Sequence, residues 1–243
     1  MRMRTFAIRN AKEILRDPLN LFFGLGFPLV LLLLLSAIQA NIPVSLFALQ
    51  DLAPGITVFG LAFMTLFSAT IIAKDRRSAL LQRLYTSPLT PVDFILGYTL
   101  PILPIAMAQS AICYLAAVIM GLKVSVYIPL AILFNLPVSL LYIALGLLFG
   151  SILTDKQVGG ICGSLLTNLS AWLSGIWFDL ELVGGVFQDV ANLLPFVHAV
   201  EMERAVLSGN LSGIFPHLWW VLGYALAALA AAVMLFLRQM KRQ

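Results

Sequence analysis

The chain has 243 residues, 61% of them hydrophobic and 11% charged, with a formal net charge of +4. Soluble domains carry roughly 25% charged residues, so a water-soluble fold of this length could not hide its apolar side chains. The length allows one membrane domain and no sizeable soluble one. The basic residues cluster at the ends of apolar runs, where anionic lipid and the insertion machinery act on them, so the charge is no nucleic-acid signal.

The first element predicted is a basic amphipathic helix over 1–17. Met3, Phe6, Ala7, Ala11 and Ile14 recur at helical spacing, while Arg2, Arg9, Lys12 and Arg16 hold the other face, as in a helix lying on a membrane surface. Asp17-Pro18 ends it, because the residue before proline avoids the helical region. The apolar run that follows is too long for a signal-peptide core and has no small-x-small cleavage site, so it is expected to remain as a span.

Six segments reach the roughly 20 apolar residues that a bilayer core requires: 19–39, 52–73, 94–120, 127–153, 157–178 and 216–237. None carries an ionisable residue at its centre, and no buried charge is expected in the spans. The predicted fold is therefore all-α and polytopic. With the N-terminus inside, thirteen of the fifteen Lys and Arg residues are cytoplasmic and only Lys123 and Arg204 lie outside, which places both termini in the cytoplasm. Pro28, Pro101, Pro104, Pro129 and Pro137 fall within spans, where neighbouring helices can re-satisfy the backbone. Gly146/Gly150 and Gly159/Gly163 are small-xxx-small pairs suited to helix packing. Cys113 and Cys162 sit in apolar runs as small core residues.

Two segments are not spans. Over 74–90, Lys74-Asp75-Arg76-Arg77 leads into a short cytoplasmic helix whose apolar face is Leu80, Leu81, Leu84 and Tyr85, with Arg83 on the rest. Thr90, Pro91 and Asp93 then form the start of the next helix as a capping box. Over 179–216, Val186–Leu194 and Phe196–Leu207 each suit a helix too short to cross a bilayer, broken at Pro195 and stopped at Gly209, as re-entrant or interfacial helices of the outer leaflet. They carry His198, Glu201, Glu203 and Arg204, of which Glu201 and Arg204 are spaced to pair. One histidine with two carboxylates is a weak metal set, and no metal is expected. Asn210 begins an Asn-Leu-Ser triplet that chance explains.

No phosphate-binding loop, H-E-x-x-H motif or G-x-S-x-G elbow occurs. Phe59, Phe63 and Phe67 recur every four residues on the second span, and Ser164, Asn168 and Trp172 on the fifth. Such stripes also arise from packing alone.

In the order of its parts the whole chain resembles the six-span permeases of type-2 ABC exporters. The segment from Arg77 to Leu89 is similar to the family's coupling segment, although Lys74-Asp75-Arg76-Arg77 replaces the commoner Glu-Arg-Glu opening. Leu194-Pro195-Phe196-Val197-His198-Ala199-Val200-Glu201 with Arg204 is similar to the signature before the last span. The resemblance implies a permease for lipophilic or amphipathic compounds, whether drug, peptide or lipid-like, with no catalytic site of its own. It implies a separate ABC ATPase holding ATP and Mg²⁺, and a second permease as homo- or heterodimer. It implies an apolar cavity lined by Phe59, Phe63, Phe67, Ser164, Asn168 and Trp172. Leu80, Leu84 and Tyr85 would insert into the ATPase, with Arg77 and Arg83 at the rim. The alternatives are an ATP-independent carrier or channel, or a membrane enzyme or assembly factor.

Overall fold

The computed structural model describes residues 2–43, 47–78 and 90–240, and every regular element among them is helical. Residues 79–89, with Leu80, Leu81, Arg83, Leu84 and Tyr85 of the expected coupling helix, lie outside the described residues.

Helix α1 is Arg2–Leu15. Its inward face is Phe6, Asn10 and Ile14, all buried, so the stripe expected to meet lipid is docked on protein. Helix α2, Pro18–Gln39, starts with Pro18 at its first position, and the Asp17 carboxylate accepts the Asn20 N–H at 3.2 Å. It widens to a π turn over Phe22–Gly26. Pro28 follows, and its ring would clash with the carbonyl four residues back in an unbroken α-helix, so a wider turn relieves the contact.

Helix α3 is Leu49–Arg77. Its apolar stretch is 89% buried against 17% for α2, which makes α3 the axis of the bundle and α2 a peripheral helix. It runs past the expected boundary at residue 73, so Lys74, Asp75, Arg76 and Arg77 extend a span rather than open a separate element. Helix α4, Pro91–Ile119, has the predicted capping box: Thr90 Oγ1 accepts the Asp93 N–H at 3.2 Å and the Asp93 carboxylate accepts the Thr90 N–H at 3.0 Å. Helix α5 is Tyr127–Ile152 and packs along α3. Helix α6 covers 155–172 as Asp155–Val158, a π stretch Gly159–Leu166, and Thr167–Trp172. Short helices α7, Leu180–Val183, and α8, Gly185–Leu193, lead to α9, Pro195–Leu207, and to α10, Leu211–Met240.

Among the described residues five helices, α2, α3, α4, α5 and α10, are long and apolar enough to cross a membrane. The sixth expected span, 157–178, falls short of that measure. Its helix starts with Asp155, Lys156 and Gln157 and breaks after Trp172 into turns. The chain is thus an all-α polytopic membrane protein in which α6 is the shortest and most polar of the long helical runs.

The two ends of the chain meet at one end of the bundle. Phe6 of α1 lies edge-on to Tyr98 at 4.9 Å, Tyr98 to Phe94 at 4.9 Å, and Phe94 stacks on Phe236 of α10 at 4.1 Å. At the opposite end, Gly209 abuts the Tyr127 ring and Gly55 abuts Ile176. Between them, α8 and α9 form a re-entrant hairpin. The Tyr224 hydroxyl donates to the Leu193 carbonyl at 2.8 Å, thirteen residues into α10, which puts the hairpin tip about 20 Å deep at 1.5 Å per residue. Most of α9 is buried, so it is enclosed by protein rather than floating in lipid.

The contact of α3 with α5 depends on the absence of side chains at Gly146 and Gly150. A Cβ on Gly146 would sit 2.5 Å from Ser68 Cβ and 2.6 Å from the Thr65 carbonyl, and one on Gly150 2.8 Å from Ala69 Cα. Beside them Thr65 Oγ1 donates across to the Tyr142 carbonyl at 2.8 Å. The Gly159/Gly163 pair behaves differently, since Gly159 has open space and Gly163 meets only the flexible Leu66 side chain. Gly146→Ala should therefore cost about 1–3 kcal/mol, as overpacking does, while Gly159→Ala should be neutral or gain the roughly 0.5–1 kcal/mol of helix propensity. Thermal unfolding of the two variants in detergent checks this, and equal midpoints would contradict the packing.

Candidate functional site

Two regions carry the chemistry: an aromatic groove between α2, α3 and α6, and the charged end of α3.

The groove has a volume of about 430 Å³. Helix α2 supplies Phe23, Phe27 and Leu31, α3 supplies Phe59, Phe63 and Leu66, and α6 supplies Gly159, Gly163, Ser164, Thr167, Asn168 and Ala171, with Trp177 after the helix end. The rings touch in series. Trp177 is 6.0 Å from Phe59, Phe59 is 5.7 Å from Phe63, and Phe63 stacks on Phe23 at 6.1 Å, with Phe27 against both α3 rings. Opposite this wall the polar groups are few. Asn168 donates its amide to the Ser164 carbonyl one turn back at 2.8 Å, and Thr167 donates to the Cys162 carbonyl at 3.0 Å. Such a surface suits a large apolar body with one or two polar contacts.

Four of the six expected lining residues, Phe59, Phe63, Ser164 and Asn168, are in the groove, and two are not. Phe67 is buried further along α3, packed against α2 with its ring over Gly24 and outside the groove. Steps of four residues drift about 40° around a helix of 3.6 residues per turn, so Phe67 has turned about 80° from Phe59. Trp172 lies at the end of α6, exposed outside the groove, and Trp177 takes the place expected for it. A second groove of about 430 Å³ is walled by α10 alone, around Trp219, Trp220 and Tyr224. It is a furrow on one helix rather than a space between elements.

At the end of α3, four successive charged residues each hold a different element. Lys74 faces Asp17, before α2, at 3.6 Å. Asp75, 1% exposed, accepts from Tyr98 of α4 at 2.8 Å and from Arg9 of α1 at 2.6 Å. Arg9 also pairs with Glu13 at 2.7 Å, and Asn10 beside it donates to the Gly97 carbonyl at 3.0 Å. Arg76 donates to the carbonyls of Gly150 and Leu153 at 2.9 and 3.1 Å, occupying acceptors left over at the end of α5. Arg77, mostly exposed, pairs with Asp155 at the start of α6 at 3.2 Å. Asp75 lies two residues beyond the expected span 52–73, and its burial shows that the segment from Lys74 is packed into the bundle rather than lying free of it. Sequence reasoning missed Asp75, Arg9 and Tyr98 as a unit, since Arg9 and Asp75 are 66 residues apart. The one local sign was Asn10, a polar residue in register with Phe6 and Ile14.

On α9, Glu201 and Arg204 pair at 2.7 Å as their spacing predicts, and Arg204 also donates to the Gly175 carbonyl at 3.1 Å. His198 stacks on Trp220 at 4.8 Å, and its ring nitrogens face His217 and the Asn192 carbonyl, each at 2.9 Å. Burial holds the His198 imidazole below its ordinary value. Glu203 points elsewhere, into the bundle. Among the described residues no three His, Cys, Asp or Glu side chains are grouped to hold a metal ion.

Residues 1–208, from α1 to the end of α9, match the family model described as ABC-2 type transporter. No curated protein matches the chain.

Asp75 is the buried member of the α3 cluster, and hydrogen bonds to charged groups contribute roughly 1.5–3 kcal/mol. Asp75→Asn should therefore lower stability by about 1–3 kcal/mol. The exposed Arg77 pair should cost about 0–1 kcal/mol on Arg77→Ala. Unfolding midpoints in detergent measure both, and an Arg77 effect as large as that of Asp75 would contradict this ranking.

Proposed function

The chain belongs to the ABC-2 type transporter family, and from that premise we propose that it is the permease subunit of an ATP-driven exporter of lipophilic or amphipathic compounds. The observation that carries this reading is the charged end of α3. The helix that forms the axis of the bundle ends, at Arg77, next to the segment that resembles the family's coupling helix, and its last turn is tied to α1, α4, α5 and α6. Force applied to that segment by an ATPase reaches four other helices at once.

The orientation that fits is N-terminus inside, as the Lys and Arg distribution favours. Both chain ends lie at one end of the bundle, which requires an even number of crossings, so α6 serves as a sixth and short crossing. Its 18 residues span about 27 Å as an α-helix. The groove supports an apolar or amphipathic cargo of the drug, peptide or lipid-like kind. Because α2 is mostly unburied and Gly159 of α6 has open space, this side also suits a second permease, identical or related, that would close the groove into a cavity at the dimer axis. ATP and Mg²⁺ then belong to a separate ATPase subunit, and this chain contributes no catalytic group. Moving an equilibrium between inward- and outward-facing states from 1:99 to 99:1 takes about 5.5 kcal/mol. Apolar anchors on the coupling segment supply more of that than rim charges do.

Co-expression with an ABC ATPase and measurement of hydrolysis stimulated by amphipathic compounds tests the proposal. Leu84→Asp and Tyr85→Asp should leave the permease in the membrane but abolish ATPase association or uncouple hydrolysis from transport, while Arg83→Ala should be milder. Normal transport and association in both aspartate variants would sink the coupling role. Transport by the chain without any ATPase would favour the carrier reading instead.

A further inference from the structure

Glu203 lies on the face of α9 that points into the bundle, and its side chain is completely buried. One carboxyl oxygen accepts from the Tyr114 hydroxyl of α4 at 2.8 Å. The other has no donor in the structure, although the side chain lies within hydrogen-bonding reach of Asn135 on α5. Asn135 is also completely buried, and its amide nitrogen donates to the Ala131 carbonyl at 3.3 Å, which leaves its oxygen without a partner. One oxygen of the Glu203 carboxyl and the Asn135 oxygen are thus both buried without a donor in a closed, apolar place. A proton on Glu203 removes the charge there, and with it most of the desolvation penalty.

The surroundings provide no other compensation. The charged neighbours on α9 are occupied with each other, Arg204 with Glu201 and with the Gly175 carbonyl. His198 and His217 of α10 face one another and the Asn192 carbonyl. Among the described residues no charged side chain of α3, α4, α5 or α10 acts on the carboxyl, only the Tyr114 hydroxyl and the Asn135 amide. A carboxylate in such a place keeps its desolvation penalty with one hydrogen bond against it.

We propose that Glu203 is a proton-binding site, neutral while the re-entrant hairpin is docked, and that loss of the proton releases α9 from α4 and α5. The neutral carboxyl is held between α4 and α5, bonded to Tyr114 and beside Asn135. Ionisation leaves a charge with few hydrogen bonds among apolar side chains, so the hairpin has to admit water or move outward. The site is shallow. Tyr114 is five residues, about 8 Å, from the end of α4, and Asn135 eight residues, about 12 Å, from the start of α5, both at the end of the bundle away from the chain termini. Protons reach it from that side.

The sign follows directly. A carboxyl protonated in the fold and ionised in the unfolded chain stabilises the fold at low pH, and that contribution fades as pH rises through the folded-state titration. The test is infrared spectroscopy of the purified chain in lipid nanodiscs, together with thermal unfolding across pH. At neutral pH the wild type should show the carbonyl band of a protonated carboxylic acid, absent in Glu203→Gln. Tyr114→Phe should shift that band without removing it, which serves as a second assignment if the glutamine variant folds poorly. The wild-type unfolding midpoint should fall as pH rises above neutral, and that of Glu203→Gln should stay flat over the same range. The proposal is overturned if no Glu203-dependent acid band exists at neutral pH. It is also overturned if sodium, potassium or calcium at constant ionic strength raises the midpoint in a Glu203-dependent way, because a metal cation rather than a proton would then neutralise the carboxyl.

Discussion

The arrangement of the bundle depends on how α3 ends. Most of its length is enclosed by other helices, and small side chains let α5 lie against it closely enough for Thr65 to bond the α5 backbone. Such a helix cannot shift alone, because the packing at Gly146 and Gly150 leaves no slack. Its last turn then carries four consecutive charged residues that point outward in four directions, since successive residues on a helix lie about 100° apart. That is why one turn can hold α1, α4, the end of α5 and the starts of α2 and α6 together. The exposed pairs contribute little stability individually. The Asp75 contacts are different, because a buried carboxylate without its partners would be costly, and they fix α1 against the bundle.

The opposite end is built on another principle. The hairpin of α8 and α9 brings backbone ends into the interior, where each polar group needs a partner. Tyr224 answers the carbonyl at the tip, Pro195 starts α9 without needing an N–H acceptor, and Arg204 ties the hairpin to the turn after α6. The interior side chains of α9 are otherwise apolar, with Glu203 among them. One end of the protein thus has charges shared among helices near the chain termini, and the other has a plug held by a few discrete polar contacts. Under the proposed exporter function, alternation between two states calls for a firm drive end and a movable end, and the two constructions suit those roles.

Much of this was legible from the sequence. The long spans follow from hydropathy, the α4 capping box from Thr90 and Asp93, and the broken hairpin from Pro195 and Gly209. The Glu201–Arg204 pair follows from spacing alone. What escaped was of two kinds. Angular drift along a helix separates Phe67 from Phe59 and Phe63, which counting in fours conceals. Long-range pairing puts Arg9 against Asp75 and Tyr114 against Glu203, and nothing local encodes either partner. A signal did exist in both cases. Asn10 interrupts the Phe6–Ile14 stripe, and Glu203 interrupts the stripe of Phe196, Val200 and Val206. A polar residue inside an apolar stripe announces a buried partner elsewhere. The length of α6 also departs from expectation, since its polar first turn and the break after Trp172 leave it shorter than the apolar run over 157–178 suggests.

The central claim is that nucleotide-driven movement passes from the coupling segment through the end of α3 to the aromatic groove. The direct measurement is the labelling rate of a single cysteine introduced as Asn168→Cys, with Cys113 and Cys162 replaced by alanine, in the permease–ATPase complex with and without a non-hydrolysable ATP analogue. Nucleotide should change that rate, and adding Asp75→Asn together with Arg76→Ala should abolish the change while the ATPase stays bound. A nucleotide response of undiminished size in that double variant would show that the end of α3 does not carry the movement.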